Sequence, residues 1–297
     1  MSIRAVKKIL RPQPTLEGAG VKLQRGFGFG DPKEFDPFLL FDDFRNERPD
    51  DYLAGFPWHP HRGIETITYV LAGTVDHGDS LGNSGTLSDG DVQWMTAGSG
   101  ILHQEMPKGD PNGRMHGFQL WANLPSSLKM TAPRYQDVLA KDIPEVVDDD
   151  GTAARIICGE FWGQRGPVAG VAADPRYLDI SVPPNTTKRL RVEHERHAFA
   201  YVFAGGGSFR DASTPREVAS EREDGGLEYI GNRSLVLFDR GDEIVVNAGP
   251  EGIRFLLVSG KPLEEPVAWR GPIVMNTTEE LRQAYAELNA GTFIRAR

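Results

Sequence analysis

The sequence is poor in cysteine. It contains one, Cys158, in 297 residues, which excludes an internal disulfide framework and suits a reducing compartment. We expect Cys158 to pack as a small hydrophobic residue. The N-terminal stretch MSIRAVKKILRPQPTLEG also lacks the apolar block of a secretory signal. These two features predict a cytoplasmic protein.

Basic residues and long apolar runs are scarce as well. The 33 lysines and arginines are outnumbered by 42 acidic residues, which gives a net charge of −9. Direct binding to nucleic acid needs a basic face, so this charge balance disfavours it. No run approaches the ~20 apolar residues of a membrane span. We therefore expect neither nucleic acid nor a membrane as a partner.

Glycine and proline, at 34 and 21 residues, are plentiful and favour turns and short strands over long helices. Strand-like patterns occur in ETITYVL, VQWMTA, ILHQEMP and HGFQLWANL of the first half, and in RYLDISVP, HAFAYVF and SLVLFD of the second. Each half also has a strand that ends in VLAG or VFAG and a later Gly-Asp turn. The sequence predicts an all-β protein with a duplicated β-barrel.

The predicted domains follow the chain in order. We expect a first domain over residues 1–130, a proline-containing connector over 131–150 and a second domain over 151–297. The polar, charge-rich insertion at 209–235 predicts a long exposed loop. The segment NTTEELRQAYAELNAG predicts a C-terminal helix with its cap within residues 276–278. Its packing face is expected to consist of Leu281, Ala284, Tyr285 and Leu288.

Two pairs of polar side chains at strand spacing predict a metal site. His59 and His61 stand two residues apart, as do His103 and Glu105, so each pair shares one face of a strand. Glu65 is four residues after His61, so in a continuous strand it would lie on the same face as the two histidines. Three imidazoles and one carboxylate form a mixed nitrogen and oxygen ligand set that suits iron, and also Mn, Ni, Co, Cu or Zn.

The other histidines are given structural interpretations. His77 and His116 lie outside the two pairs, and we expect structural or surface positions for them. His194 and His197 fall where a second barrel would carry its own metal motif, but their spacing is three and no later His-x-Glu follows.

Long stretches of the chain resemble the pirin family of the cupin superfamily. The matching segments are DPFLLFDDF (36–44), HPHRGIETITYVLAG (59–73), GDVQWMTAGSGILHQEMP (90–107), GFQLWANLPSSLKM (117–130) and GKPLEEPVAWRGPIVMNTTEE (260–280). The resemblance implies two tandem cupin barrels. It also implies one metal ion, usually Fe²⁺, held in the N-terminal barrel by His59, His61, His103 and Glu105, and a C-terminal barrel without metal.

The resemblance further implies an activity similar to quercetin 2,3-dioxygenase, with a flavonol and O₂ as substrates. Glu105 would then accept the proton of the flavonol 3-hydroxyl as catalytic base. Many other cupins place the ligand carboxylate where Glu65 stands, so Glu65 is a candidate for orienting a ligand histidine. The alternative is an inward-facing glutamate paired with an arginine or with the backbone. The candidates for an apolar substrate pocket are Phe56, Trp58, Trp94, Met95 and Met106.

Two rival functions stay open at the level of sequence. Pirins are also known as partners of transcription regulators, which implies a non-catalytic, metal-dependent protein-binding module. The lack of a basic localisation run disfavours a nuclear function. The second rival is a dioxygenase whose substrate is not a flavonol. The 209–235 insertion leaves lid, oligomer and partner interpretations open.

Overall fold

The computed structural model describes residues 2–30, 32–210 and 228–295, so residues 211–227 of the predicted 209–235 loop lie outside the described residues. Within these ranges the chain is built mainly from β-strands, which confirms the all-β prediction. In chain order the strands are β1 (Val6–Leu10), β2 (Gln13–Glu17), β3 (Val21–Phe27), β4 (Phe38–Asp43), β5 (Phe56–His61), β6 (Ile64–Ala72), β7 (Thr74–Asp79), β8 (Ser84–Leu87), β9 (Val92–Thr96), β10 (Ile101–Lys108), β11 (His116–Asn123), β12 (Arg134–Val138), β13 (Glu145–Val147), β14 (Ala153–Cys158), β15 (Glu160–Phe161), β16 (Gln164–Arg165), β17 (Arg176–Val182), β18 (Thr187–Arg191), β19 (His197–Phe209), β20 (Ile230–Gly231), β21 (Ser234–Phe238), β22 (Glu243–Gly260), β23 (Ala268–Arg270) and β24 (Ile273–Met275).

Helical structure is short. Single 3₁₀ turns occur at Pro49–Asp51, Ser126–Leu128 and Ala140–Asp142, and the helix α1 spans Thr278–Asn289. Thr277 caps α1: its hydroxyl accepts from the Glu280 amide, and the Glu280 carboxylate accepts from the Thr277 amide. The predicted stripe packs as expected, because Ala284 is buried against Ile273 and Phe293. In the part of the chain that is described, no helix has the length and apolar character to cross a bilayer.

The chain forms two compact units, and each is discontinuous in sequence. The first unit contains Gln13–Asp142 together with the segment from Leu263 onward. The second contains the segment up to Pro12 together with Ile143–Pro262. This division differs from the contiguous domains 1–130 and 151–297 at both ends of the chain. The C-terminal helix, expected in the second domain, belongs to the first unit, because α1 packs on β23 and β24 and the backbone of β24 bridges Arg62.

The first unit encloses its interior with two antiparallel sheets. A seven-stranded sheet has the order β12-β9-β6-β11-β4-β3-β2, and a four-stranded sheet has the order β5-β10-β7-β8. The turn between β5 and β6 requires glycine at position 63. Gly63 has φ +78, and a Cβ there would lie 1.9 Å from the Val274 carbonyl oxygen. This turn separates the strand that carries His59 and His61 from the strand that follows it.

The second unit is built on one nine-stranded sheet. Its main order is β1-β21-β19-β22-β17-β14-β13, with β18 paired to β22 and β20 to β19. The buried core cluster consists of aliphatic and phenylalanine side chains, among them Ile156, Leu190 and Phe255. Apolar side chains therefore occupy the core positions of this unit.

Candidate metal centre

Strands β5 and β10 bring three imidazoles to one point. The two strands pair antiparallel, with His103 directly opposite His59 and Ile101 opposite His61. The Nε2 atom of His59 lies 3.1 Å from Nε2 of His61 and 2.9 Å from Nε2 of His103. Among the described residues, these three form the group whose ligand atoms all lie within 4.8 Å of one another. The two histidine-bearing segments predicted from spacing thus converge.

The geometry of the three rings fits a transition-metal ion. Two ligands at right angles, each ~2.1 Å from a metal, are about 3.0 Å apart, which matches the measured separations. Nδ1 of His59 is 2.9 Å from the Pro57 carbonyl oxygen, and Nδ1 of His61 is 3.2 Å from that of Pro272. Since a carbonyl only accepts, these contacts assign the proton to Nδ1 and direct the Nε2 lone pairs inward.

The local electrostatics favour neutral imidazoles. Burial, together with the charge of neighbouring histidines, holds the pKa of His61 and of His103 well below the ordinary value. Both side chains are therefore neutral at pH 7, which is the form that binds a metal.

Glu105 lies beside the three imidazoles. A bulge between His103 and Glu105 shifts the register against β5, so that Glu105 is paired with Phe56. Its Oε2 is 3.9 Å from Nε2 of His103, and its Oε1 accepts from the Thr68 hydroxyl at 3.1 Å. Burial raises the pKa of the Glu105 carboxyl. The carboxylate is thus a neighbour of the histidine cluster and is held by a hydroxyl from the opposite sheet.

A cavity of about 450 Å³ opens on this cluster, within the size range of small-molecule sites. Its lining includes His59, His61 and Glu105. Much of the remaining wall is apolar and includes Val21, Leu23, Leu40, Phe44, Val75 and Met115. An apolar molecule of moderate size would be enclosed there with one end at the imidazoles.

The predicted apolar lining was largely wrong. Of the five candidates only Phe56 lines the cavity. Trp94 and Met95 are fully buried, whereas the Trp58 residue is 54% exposed. Trp94 is directly opposite Ile67 and shares its face of the sheet. Thr68, the next residue of β6, lines the cavity, and because side chains alternate along a strand, Ile67 and Trp94 lie on the other face. Met106 follows Glu105 directly and therefore points to the other side of β10.

Comparisons with known proteins agree with this architecture. The family model described as Pirin matches residues 20–122, and the model described as Pirin C-terminal cupin domain matches residues 177–294. A pirin-like protein of Caulobacter vibrioides is 43% identical over 294 residues, which cover 99% of this chain and 100% of that protein. The chain belongs to the pirin family.

Two solved structures extend the comparison. The crystal structure of quercetin 2,3-dioxygenase from Acinetobacter baumannii aligns with a TM-score of 0.86 and 31% identity, over 98% of this chain and 99% of that one. A bacterial pirin from Escherichia coli, solved in complex with nickel(II), has a TM-score of 0.63 and 22% identity, over 86% of this chain and 100% of that one. At that identity the second likeness concerns the fold. The predicted all-β bicupin architecture is confirmed.

Glu65 does not continue the strand face of His59 and His61, as equal parity predicts. One continuous strand from His59 would place it on that face, but β5 ends at His61 and β6 begins at Ile64. Glu65 is three residues from Thr68 and so lies on the opposite face of β6 from the cavity. Its carboxylate accepts from the Thr96 hydroxyl at 2.7 Å. Glu65 is thus tied to β9 as a buried pair.

The remaining histidines of the pirin-family chain lie outside the cluster. His77 is 3.0 Å from the Gln93 amide nitrogen and stacks with Tyr135, and the His116 ring meets Phe118 edge-on. The His194 side chain is 58% exposed, with Nδ1 3.9 Å from Asp242. His197 begins β19.

Arg62 anchors the strand that carries the histidines, and sequence reasoning missed it. The Arg62 residue is 1% exposed. Its guanidinium donates to the carbonyls of Ser99 at 2.7 Å and Phe293 at 2.9 Å, and to the Glu287 carboxylate at 2.7 Å. It also lies 4.1 Å from the centroid of the Phe293 ring. Since Arg62 follows His61 directly, these bonds fix the end of β5.

Proposed function

We propose that this pirin-family chain is a metal-dependent dioxygenase that cleaves flavonols such as quercetin with O₂. The observation that carries the proposal is the largely apolar cavity that opens on His59, His61 and Glu105. The name of the Acinetobacter baumannii neighbour supports the reaction. We further propose the cytoplasm as its location, supported by the buried free thiol of Cys158.

We propose that the ligands are His59, His61 and His103, with Glu105 as the fourth, and that the ion is Fe²⁺. Three neutral nitrogen donors and one carboxylate suit a divalent transition metal, and availability decides among such ions. Nickel(II), bound by the Escherichia coli pirin, is the competitor to test. Equilibrium dialysis against Fe²⁺ and Ni²⁺ should give one ion per chain, and His103→Ala should lower the affinity for both. Unchanged affinity would contradict this ligand set.

The metal and the side chains of the cavity have separate roles in the proposed reaction. A bound divalent metal supplies a Lewis acid and a template for the flavonol 3-hydroxyl and the adjacent carbonyl oxygen. Glu105 accepts the 3-hydroxyl proton, and the Thr68 hydroxyl, 3.1 Å from Oε1, orients its carboxylate. The apolar wall encloses the rings and excludes water. In sum, the flavonol and O₂ give a ring-opened ester and carbon monoxide.

The test combines oxygen uptake, loss of quercetin and metal content in iron-loaded protein. We expect the parent to consume one O₂ per quercetin. We expect Glu105→Gln to bind the metal less tightly, to retain it at saturating concentration through His59, His61 and His103, and to lose turnover. Glu65→Gln is the matched control, because Glu65 is a buried carboxylate of the same unit on the other face of β6. It should leave turnover close to that of the parent.

Other outcomes would redirect the proposal. If Glu105→Gln loses metal together with activity, the ligand assignment is supported and the role as base is not. If fully loaded parent protein binds quercetin and consumes no oxygen, the dioxygenase proposal fails. The non-catalytic protein-binding module, or a dioxygenase with another substrate, then takes its place.

A further inference from the structure

A row of polar side chains crosses the wall of the cavity on the seven-stranded sheet. Arg25 of β3 is paired with Asp42 of β4, Asp42 with Gln119 of β11, and Gln119 with Thr68 of β6. Directly opposed residues of neighbouring strands share a face of the sheet. All four line the cavity. We call this set the cavity row.

One end of the cavity row reaches the metal centre. The Thr68 hydroxyl lies 3.1 Å from Oε1 of Glu105 and 2.6 Å from Oε1 of Gln119. Both oxygens are acceptors, so the single proton of the Thr68 hydroxyl is shared between the Glu105 carboxylate and the Gln119 amide oxygen. The Thr68 hydroxyl therefore connects the cavity row to Glu105.

The other end of the cavity row is a buried ion pair. Asp42 is 4% exposed, and its two oxygens accept from Nε and Nη2 of Arg25 at 2.9 and 2.7 Å. Arg25 Nη1 is also 2.8 Å from Oε1 of Glu17, which lines the cavity too. One guanidinium between two carboxylates leaves one negative charge on the group.

This charge balance decides what the far end of the cavity can bind. Each Asp42 oxygen accepts one N–H from Arg25 and retains lone-pair capacity. Burial raises the pKa of Asp42 to about 6, so at pH 7 and above it is an ionised acceptor. A neutral hydroxyl donor is favoured there, whereas an anionic ligand group meets a negative charge. The chemistry therefore fits a phenol.

The spacing fits the proposed substrate. From Thr68 on β6 to Asp42 on β4 is two interstrand distances, or about 10 Å. The chelating oxygens of a flavonol lie on its central ring, and the distance from them to an outer-ring hydroxyl, with a hydrogen bond added at each end, is of the same order. Around Asp42 the wall offers apolar contact through Leu40 and Phe44, which stand two residues to either side of it, and through Leu23 of the neighbouring β3.

We propose that Asp42, held by Arg25, accepts a hydrogen bond from a ring hydroxyl at the end of the substrate far from the metal. The site then selects flavonols that carry a distal hydroxyl over those that carry only the chelating oxygens. This inference rests on the proposed function, because the cavity must hold a flavonol with its chelating end at the histidines.

The first test varies the ligand and leaves the protein unchanged. Binding to metal-loaded parent protein is measured by tryptophan quenching and calorimetry for 3-hydroxyflavone, for its derivatives with one added hydroxyl, and for quercetin. We expect at least one distal hydroxyl to tighten binding about tenfold, or about 1.4 kcal/mol. No gain at any position would overturn the inference even if quercetin is turned over.

The second test varies the protein. Asp42→Asn should lower the ratio of quercetin affinity to 3-hydroxyflavone affinity about tenfold, and binding of 3-hydroxyflavone reports that the variant is folded. Asp43→Asn is the matched control, because Asp43 is the next residue of β4, points to the other face and pairs with Arg45. It should leave the ratio unchanged. An unchanged ratio in Asp42→Asn would overturn the assignment of Asp42.

These tests separate the inference from the proposed reaction. Tighter binding of hydroxylated flavonols without oxygen consumption would support the role of Asp42 and overturn the dioxygenase. If loaded protein binds neither 3-hydroxyflavone nor quercetin, both proposals are overturned together.

Discussion

Replacement of Arg62 by methionine should destabilise the first unit. The substitution keeps part of the aliphatic stem and removes the guanidinium. The carbonyls of Ser99 and Phe293 then lose their donor in a buried setting, and Glu287 loses its charged partner. The bonds to Glu287 and Phe293 join the two segments of the first unit, Gln13–Asp142 and the segment from Leu263 onward, so their loss should lower the stability of the whole unit.

The magnitude follows from which groups are left without partners. Breaking a fully buried ion pair costs about 3–5 kcal/mol. The Glu287 side chain, however, is 17% exposed, so water can replace part of the lost interaction. Each buried carbonyl left without a donor costs about 1–3 kcal/mol. We therefore expect Arg62→Met to lower the free energy of unfolding of this unit by at least about 3 kcal/mol.

Urea unfolding followed by tryptophan emission measures this unit selectively. Four of the five tryptophans belong to the first unit, and they are Trp58, Trp94, Trp121 and Trp269. Arg282→Met is the control, since Arg282 is 72% exposed and pairs only with an exposed glutamate; it should cost less than about 0.5 kcal/mol. If Arg62→Met lies within about 1 kcal/mol of the parent, the guanidinium does not anchor β5 as we infer.

Three further substitutions test other features of the first unit. Burial lowers the pKa of Lys129 from 10.5 to about 7. Between these two pH values the unfolded state binds more protons than the folded state, so the free energy of unfolding rises with pH. In Lys129→Met the urea midpoint should rise less between pH 7 and pH 9 than in the parent, and an equal rise would contradict this. Thr277→Ala should cost about 1 kcal/mol and speed amide exchange in the first turn of α1. Gly63→Ala should cost more than about 3 kcal/mol, through positive φ and the clash with Val274. Gly82 also has a positive φ, +88, but a Cβ there would meet open space, so Gly82→Ala is the control and should cost only about 1 kcal/mol. Both variants are measured by urea unfolding, and equal costs would show that the clash with Val274 does not contribute.

Local spacing was enough to predict the centre of the site. The two-residue interval of His59 and His61 places both rings on one face, and His103 follows the same rule on β10. The pairing of these strands, with His103 opposite His59, was not in the sequence pattern itself. The helix was predictable for the same reason, because its cap at Thr277 and its apolar stripe depend on near neighbours.

Features that depend on distant segments could not be predicted in this way. The contact of Arg62 with Glu287 joins positions 225 residues apart, and no local pattern indicates it. Glu65 was misplaced because the Arg62–Gly63 turn resets the alternation that a continuous strand would keep. Asp42 carries no local signal in DPFLLFDDF, because its place in the cavity row depends on the register of β3, β4 and β11.

The discontinuous first unit has a consequence for synthesis on the ribosome. The strands that carry the histidines emerge early, yet the Phe293 carbonyl and the Glu287 carboxylate that hold Arg62 are translated only after the whole of Ile143–Pro262. At ordinary elongation rates that delay is on the order of ten seconds. The second unit, which also contains the segment up to Pro12, therefore has its whole sequence translated while the nascent first unit still waits for its closing segment. The second unit is thus both the first to begin and the first to be complete.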